Sequence, residues 1–129
     1  MQKIYILIAV LFALIANVLG AFGTHALRGK LEASYLSIFQ TGVQYQFYHS
    51  LALLLTALLL FHIRNQWIIA SGIAFISGII LFSGSLYILS LTGIKWLGMI
   101  TPLGGLSLLI AWGLLFIGVF KAKLKPLTE

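Results

Sequence analysis

The stretch Ile4–Phe22, IYILIAVLFALIANVLGAF, decides the fold. It carries no charge and a single amide, Asn17. At 1.5 Å per residue, a helix of this length comes close to crossing a hydrocarbon core of ~30 Å. Met-Gln-Lys before an apolar run also resembles the start of a secretory signal. Leu19 and Ala21 make a poor small-x-small cleavage site, so the expected state is a retained helix.

Three further apolar runs follow, at about Val43–Ile63, Trp67–Leu91 and Pro102–Phe120. With the first, they predict an all-α membrane protein of one domain, a four-transmembrane-helix bundle. Thr24–Gln40 is mixed in character. Leu31, Tyr35, Ile38 and Phe39 share one helical face, with Lys30, Glu32, Ser34 and Ser37 elsewhere. A short amphipathic interfacial helix over about 30–40, between spans 1 and 2, is expected there, with Gly42 as a break before the second span. His62, Arg64, Asn65 and Gln66 form the next turn, and Trp67 marks re-entry at the interface. The fourth span has two candidate starts. Thr101 as N-cap with Pro102 at the first helical position is preferred over a helix from Leu97 that kinks at Pro102.

Composition agrees. The chain is 61% hydrophobic and 8% charged, with mean hydropathy +1.12, more apolar surface than a soluble domain of 129 residues can hide. Its two acids, Glu32 and Glu129, lie outside the apolar runs. The usual carboxylates for ion coupling, proton relay or metal binding are therefore missing from the spans. There is no Cys, so no disulfide or thiol chemistry. The net charge of +6 comes from scattered Lys and Arg without a nucleic-acid motif. Anionic lipid headgroups are the expected partners, not nucleic acid. Lys3, Arg64, Lys121, Lys123 and Lys125 fall on one side, and Arg28, Lys30 and Lys95 on the other. That bias predicts both termini in the cytoplasm, in a bacterial inner membrane.

Small residues recur near heptad spacing in three spans. They are Ala9, Ala13, Ala16, Gly20 and Gly23 in the first; Ser71, Ala74, Gly78 and Ser85 in the third; Gly104, Ser107, Ala111 and Gly118 in the fourth. Such stripes let helix backbones approach in lipid, where no hydrophobic force joins them. They predict close packing and a homo-oligomer or a membrane-protein partner.

The second span is different. Thr41, Gln44, Tyr45, Tyr48, His49, Ala52 and Thr56 share one face, and Phe47, Leu51, Leu54 and Leu58 the opposite, lipid-facing one. An imidazole in lipid needs a partner for its donor and its acceptor. Gln44, Tyr45, Tyr48, Asn17 and His25 are the candidates. Together with His49 they form a candidate ligand site where spans 1 and 2 meet. Two His without Cys or carboxylate fall short of a zinc site, so no metal or cofactor is expected. Ser50 follows His49 but points elsewhere on the wheel, and no acid is at hand to complete a triad. Gly104-Gly105 lacks the strand, Lys and hydroxyl of a phosphate loop.

The same segments carry a resemblance. Gly20-Ala-Phe-Gly-Thr-His-Ala-Leu27 and Phe39-Gln-Thr-Gly-Val-Gln-Tyr-Gln-Phe-Tyr-His-Ser-Leu51 resemble two signatures of domain-of-unknown-function family 423. Phe82-Ser-Gly-Ser-Leu-Tyr87 and Thr101-Pro-Leu-Gly-Gly105 look like its third and fourth. These are small bacterial inner-membrane proteins with mitochondrial relatives in animals. The resemblance implies a multi-span membrane protein without an assigned activity. It also implies a shared polar site at Gly20, Gly23, His25, Gly42, Tyr45, Tyr48 and His49.

The expected function is therefore a non-enzymatic scaffold, accessory or packing subunit. The alternative is a binder of a lipid, quinone or small polar ligand at the His/Tyr/Gln cluster. An oligomeric transporter or channel ranks third, because the chain shows no paired repeats. An enzyme ranks last, for want of an acid, a nucleophile pair or a cofactor motif.

Overall fold

The computed structural model describes residues 1–123. Lys125 and Glu129 lie outside them. Helices α1 (Gln2–Val18), α2 (Thr24–Leu27), α3 (Ala33–Leu59), α4 (Gln66–Thr92) and α5 (Thr101–Phe120) are joined by short turns. The described residues form an all-α protein with four long helices and one isolated bridge, Arg28 to Leu31.

The first helix runs past Phe22. A π-helical turn over Leu19–Gly23 carries α1 directly into α2, so His25 sits in a helical turn. Gly20 and Gly23 do not end the helix. They allow a close approach to α3: a Cβ at Gly20 would lie 3.2 Å from Val43, and one at Gly23 3.1 Å from the Phe39 ring.

No separate interfacial helix forms, because α3 runs unbroken from Ala33 to Leu59. Gly42 is not a break; it has ordinary helical backbone, is buried and abuts α4. A Cβ there would come within 2.9 Å of the Tyr87 ring, and its carbonyl accepts the Ser83 hydroxyl at 2.7 Å. The true turn glycines are Gly29 and Gly93, at φ +83° and +69°, where other residues are strained. Gly93 closes α4 in the left-handed conformation, as a helix C-terminus commonly requires.

The Thr101 cap is also corrected. Ile100 occupies the cap position, Thr101 begins α5 and Pro102 is second, where its missing N–H costs nothing. A 3-10 turn over Lys95–Met99 leads in, so the chain combines parts of both expected starts. The Thr101 hydroxyl meets the Ser85 hydroxyl of α4 at 2.6 Å instead of capping.

Gln2–Leu27, Gln66–Thr92 and Lys95–Phe120 are long and apolar enough to cross a membrane. Helix α3 has the length, about 40 Å at 1.5 Å per residue, but is more polar. Helices α3 and α4 lie side by side at the centre, with α1 against α3 and α5 against α4. Leu53, Thr56, Ala57, Ile68, Ser71 and Phe75 are buried between them. Leu7, Leu14, Ile80, Leu109 and Phe116 are more than half exposed, as suits a lipid solvent.

Both ends of the described chain lie at one end of the bundle. The Gln2 amide donates to the Leu60 carbonyl at 3.1 Å, and Tyr5 reaches across to donate to the Ile69 carbonyl at 2.7 Å. Asn65 caps α4 by accepting from the Ile68 N–H and donates to Gly118 in the last turn of α5. The Lys121 ammonium stands 4.7 Å from the Trp67 ring centroid.

Candidate functional site

The polar residues of α3 sort into three environments. The first is the interior. Its buried stripe runs Gly42, Gln46, His49, Ser50, Leu53, Thr56 and Ala57. This is about one residue out of phase with the face expected from sequence. Gln46 is the hub that sequence reasoning missed. Its Nε2 donates to the Phe12 carbonyl of α1 at 2.8 Å, and its Oε1 accepts the Tyr87 hydroxyl of α4 at 2.7 Å. One amide thus joins three helices. Ser50 is likewise buried and donates to the Gln46 carbonyl at 2.5 Å. The signal was present: Gln46 and Ser50 are spaced i and i+4, one turn apart on a common face.

The second environment is a groove between α1 and α3 of about 260 Å³, lined by Asn17, Gly20, Val43, Gln44 and Tyr48 among others. Asn17 and Gln44 are exposed there, and the Asn17 amide donates to Ala13 in its own helix. His25 is exposed on α2 and lines neither this groove nor the larger cleft described next. The expected six-residue site between the first and second spans is therefore not assembled as one.

The third environment is a cleft of about 790 Å³ between α3 and α5, floored by Phe82 of α4. Tyr45, Tyr48 and His49 face it from α3, and Pro102, Gly105, Leu109 and Trp112 from α5. Its aromatic lining is continuous. Tyr45 stacks on Phe82 at 4.4 Å between centroids, and Trp112 lies 6.2 Å from His49 and 5.1 Å, edge-on, from Phe75. His49 is 8% exposed, whereas Tyr48 is 57% and Trp112 44% exposed, so the cleft opens sideways. Only Tyr45, Tyr48 and His49 were legible as candidates. Phe82 and Trp112 are ordinary apolar residues in sequence.

The His49 Nδ1 lies 2.7 Å from the Tyr45 carbonyl oxygen. A carbonyl only accepts, so Nδ1 carries the proton and the neutral ring leaves Nε2 as a bare acceptor. Among the described residues Nε2 has no hydrogen-bond partner. No group of three or more metal-ligating side chains converges among the described residues.

The small residues expected at helix contacts take the following places. Ala9, Ala16 and Ala111 are buried, and Ala13 and Ala74 half-buried. Gly78 lies against Leu108, Gly104 against the Phe82 backbone, and Gly118 against Ile68. Gly72 was missed; it makes room for the Tyr5 ring.

Comparison with known proteins places this architecture among membrane proteins. The family described as a protein of unknown function (DUF423) matches residues 19–105, from the π-helical turn to the start of α5. The chain is 44% identical over 121 residues to the UPF0382 membrane protein YwdK of Bacillus subtilis (strain 168), covering 93% of this chain and 98% of YwdK. It is 35% identical over 128 residues to the UPF0382 inner membrane protein YgdD of Escherichia coli (strain K12), covering 99% and 98% respectively. No solved structure matches the chain.

Proposed function

The chain belongs to the family described as a protein of unknown function (DUF423), and from that premise we propose that it is a non-enzymatic integral membrane protein, a scaffold or accessory subunit of a bacterial inner membrane. The observation that carries the reading is the fate of the interior polar groups. Gln46, Ser83, Tyr87, Ser85 and Ser107 each hydrogen-bond to a neighbouring helix. They are spent on holding the bundle together. No carboxylate lies within the long helices to serve as acid, base or ligand. In this reading α3 is the fourth span, and Ala33–Gln40, its amphipathic first turns, lie at the interface. Lys3, Arg64, Lys121 and Lys123 at one end of the bundle, against Arg28, Lys30 and Lys95 at the other, favour cytoplasmic termini. The partner is a second copy or another membrane protein. Crosslinking in cells followed by gentle solubilisation should capture it; a lone monomer under both conditions would defeat the scaffold reading.

A second reading is favoured by one specific observation, the unpartnered Nε2 of His49 in an aromatic-lined cleft. In this reading the α3–α5 face binds an amphiphile. Native mass spectrometry should show bound small molecules that His49→Ala loses. An identical profile in the variant would count against binding.

A further inference from the structure

We infer that the α3–α5 cleft takes a phenolic or hydroquinone-type amphiphile: a flat ring carrying an O–H donor, with an apolar tail. The inference rests on the amphiphile-binding reading above and deepens it by fixing the hydrogen-bonding sense of the occupant.

The sense follows from His49. Its Nδ1 is committed as a donor to the Tyr45 carbonyl, so the neutral ring offers only an acceptor to the cleft. A charged ring would need an acid. The one described carboxylate, Glu32, precedes α3 and stands about 25 Å from His49 along the helix at 1.5 Å per residue. Hydrocarbon has no water to satisfy a bare imidazole nitrogen. The fitting partner is a donor that arrives from the membrane. Tyr45 and Tyr48 can turn their hydroxyls either way and do not choose between donor and acceptor ligands; His49 does.

The ring follows from the walls. The stacked Tyr45–Phe82 pair and Trp112 present aromatic surface beside His49, with ring centroids of Tyr45 and Trp112 at 5.7 and 6.2 Å from the imidazole. Aromatic groups favour offset or edge contacts with a further ring. Gly105 and Pro102 keep the α5 wall low, and a Cβ at Gly105 would already touch Phe82 at 3.6 Å. The volume, about 790 Å³, suits a substituted ring with the first part of a chain. Leu106 and Leu109, both more than half exposed, line the way out to lipid for the tail.

The test compares 4-nonylphenol with its methyl ether, 4-nonylanisole, on the full chain in phosphatidylcholine nanodiscs. Affinity is read by tryptophan fluorescence and the His49 Nε2 environment by 15N NMR. The phenol should bind at least about tenfold more tightly than the ether, the order expected for one hydrogen bond made in a dry site. It should shift the Nε2 resonance, which the ether should leave in place. His49→Ala should abolish the preference. Equal affinity for the two probes would overturn the donor inference and leave the amphiphile-binding reading standing; binding of neither would overturn both. The probe comparison and the 15N signal are read on the unmodified protein, so a variant that fails to fold does not weaken the test.

Discussion

The seam between α4 and α5 and the cleft between α3 and α5 use the same kinds of residue to opposite ends. In the seam, glycine brings backbones together: a Cβ at Gly104 would lie 2.3 Å from the Phe82 nitrogen, and one at Gly78 2.5 Å from Leu108. Its polar groups meet in pairs. Ser77 meets Ser107 at 2.9 Å, Ser107 donates to the Ala74 carbonyl at 2.9 Å, and Ser85 meets Thr101. In the cleft, a Cβ at Gly105 would only touch the Phe82 ring, at 3.6 Å, and the His49 acceptor has no hydrogen-bond partner among the described residues. A satisfied polar group in a membrane interior holds helices together. An unsatisfied one at the edge of a cavity marks a place for something else.

The hardest way to break the contrast is Gly104→Val. The added side chain collides with Phe82 backbone, which cannot rotate away, so the bundle should lose about 3 kcal/mol or more. Thermal unfolding in detergent, followed by helical circular dichroism, would show it; a wild-type midpoint would mean that α4 and α5 do not interlock here. Gln46→Leu comes next. It strands the Tyr87 hydroxyl and removes the tie to α1, a loss of about 1–2 kcal/mol. A double-mutant cycle with Tyr87→Phe should recover a coupling between the two residues, and strict additivity would deny the bond. The smallest effect belongs to the cleft. Tyr48→Phe should change stability by less than about 0.5 kcal/mol, since its hydroxyl makes no hydrogen bond among the described residues and the residue is 57% exposed. A large loss would show that the cleft is a structural joint after all.

The seam was legible in sequence because its rule is local. Gly104, Ala111 and Gly118 recur at heptad spacing, and only small residues permit the approach that such a stripe implies. Gly42 was misread for the same reason. A glycine between a polar and an apolar segment looks like a break, and only the Tyr87 ring on another helix shows it to be a contact. The face of α3 was misplaced by about one residue because Gln44 and Gln46 are equally polar in one dimension. What separates them is the Phe12 carbonyl on α1 and Tyr87 on α4, far away in the chain. Of the candidate site, Tyr45, Tyr48 and His49 share the cleft, Asn17 and Gln44 meet only Tyr48 in the neighbouring groove, and His25 lines neither. More than half of the cleft lining comes from α5, whose Trp112 and Leu109 carry no polar signal.

Tyr5 fixes an order of events during synthesis. Its hydroxyl bonds to a carbonyl 64 residues downstream, and its ring fills the space left by Gly72. At typical ribosome speeds that acceptor emerges on the order of ten seconds after Tyr5 itself. The first helix therefore waits in the bilayer with its phenol unmatched until the third long helix arrives. A chain stalled before Ile69 can already seat that helix on α3, but it leaves the Tyr5 hydroxyl unanswered and its ring without the space at Gly72.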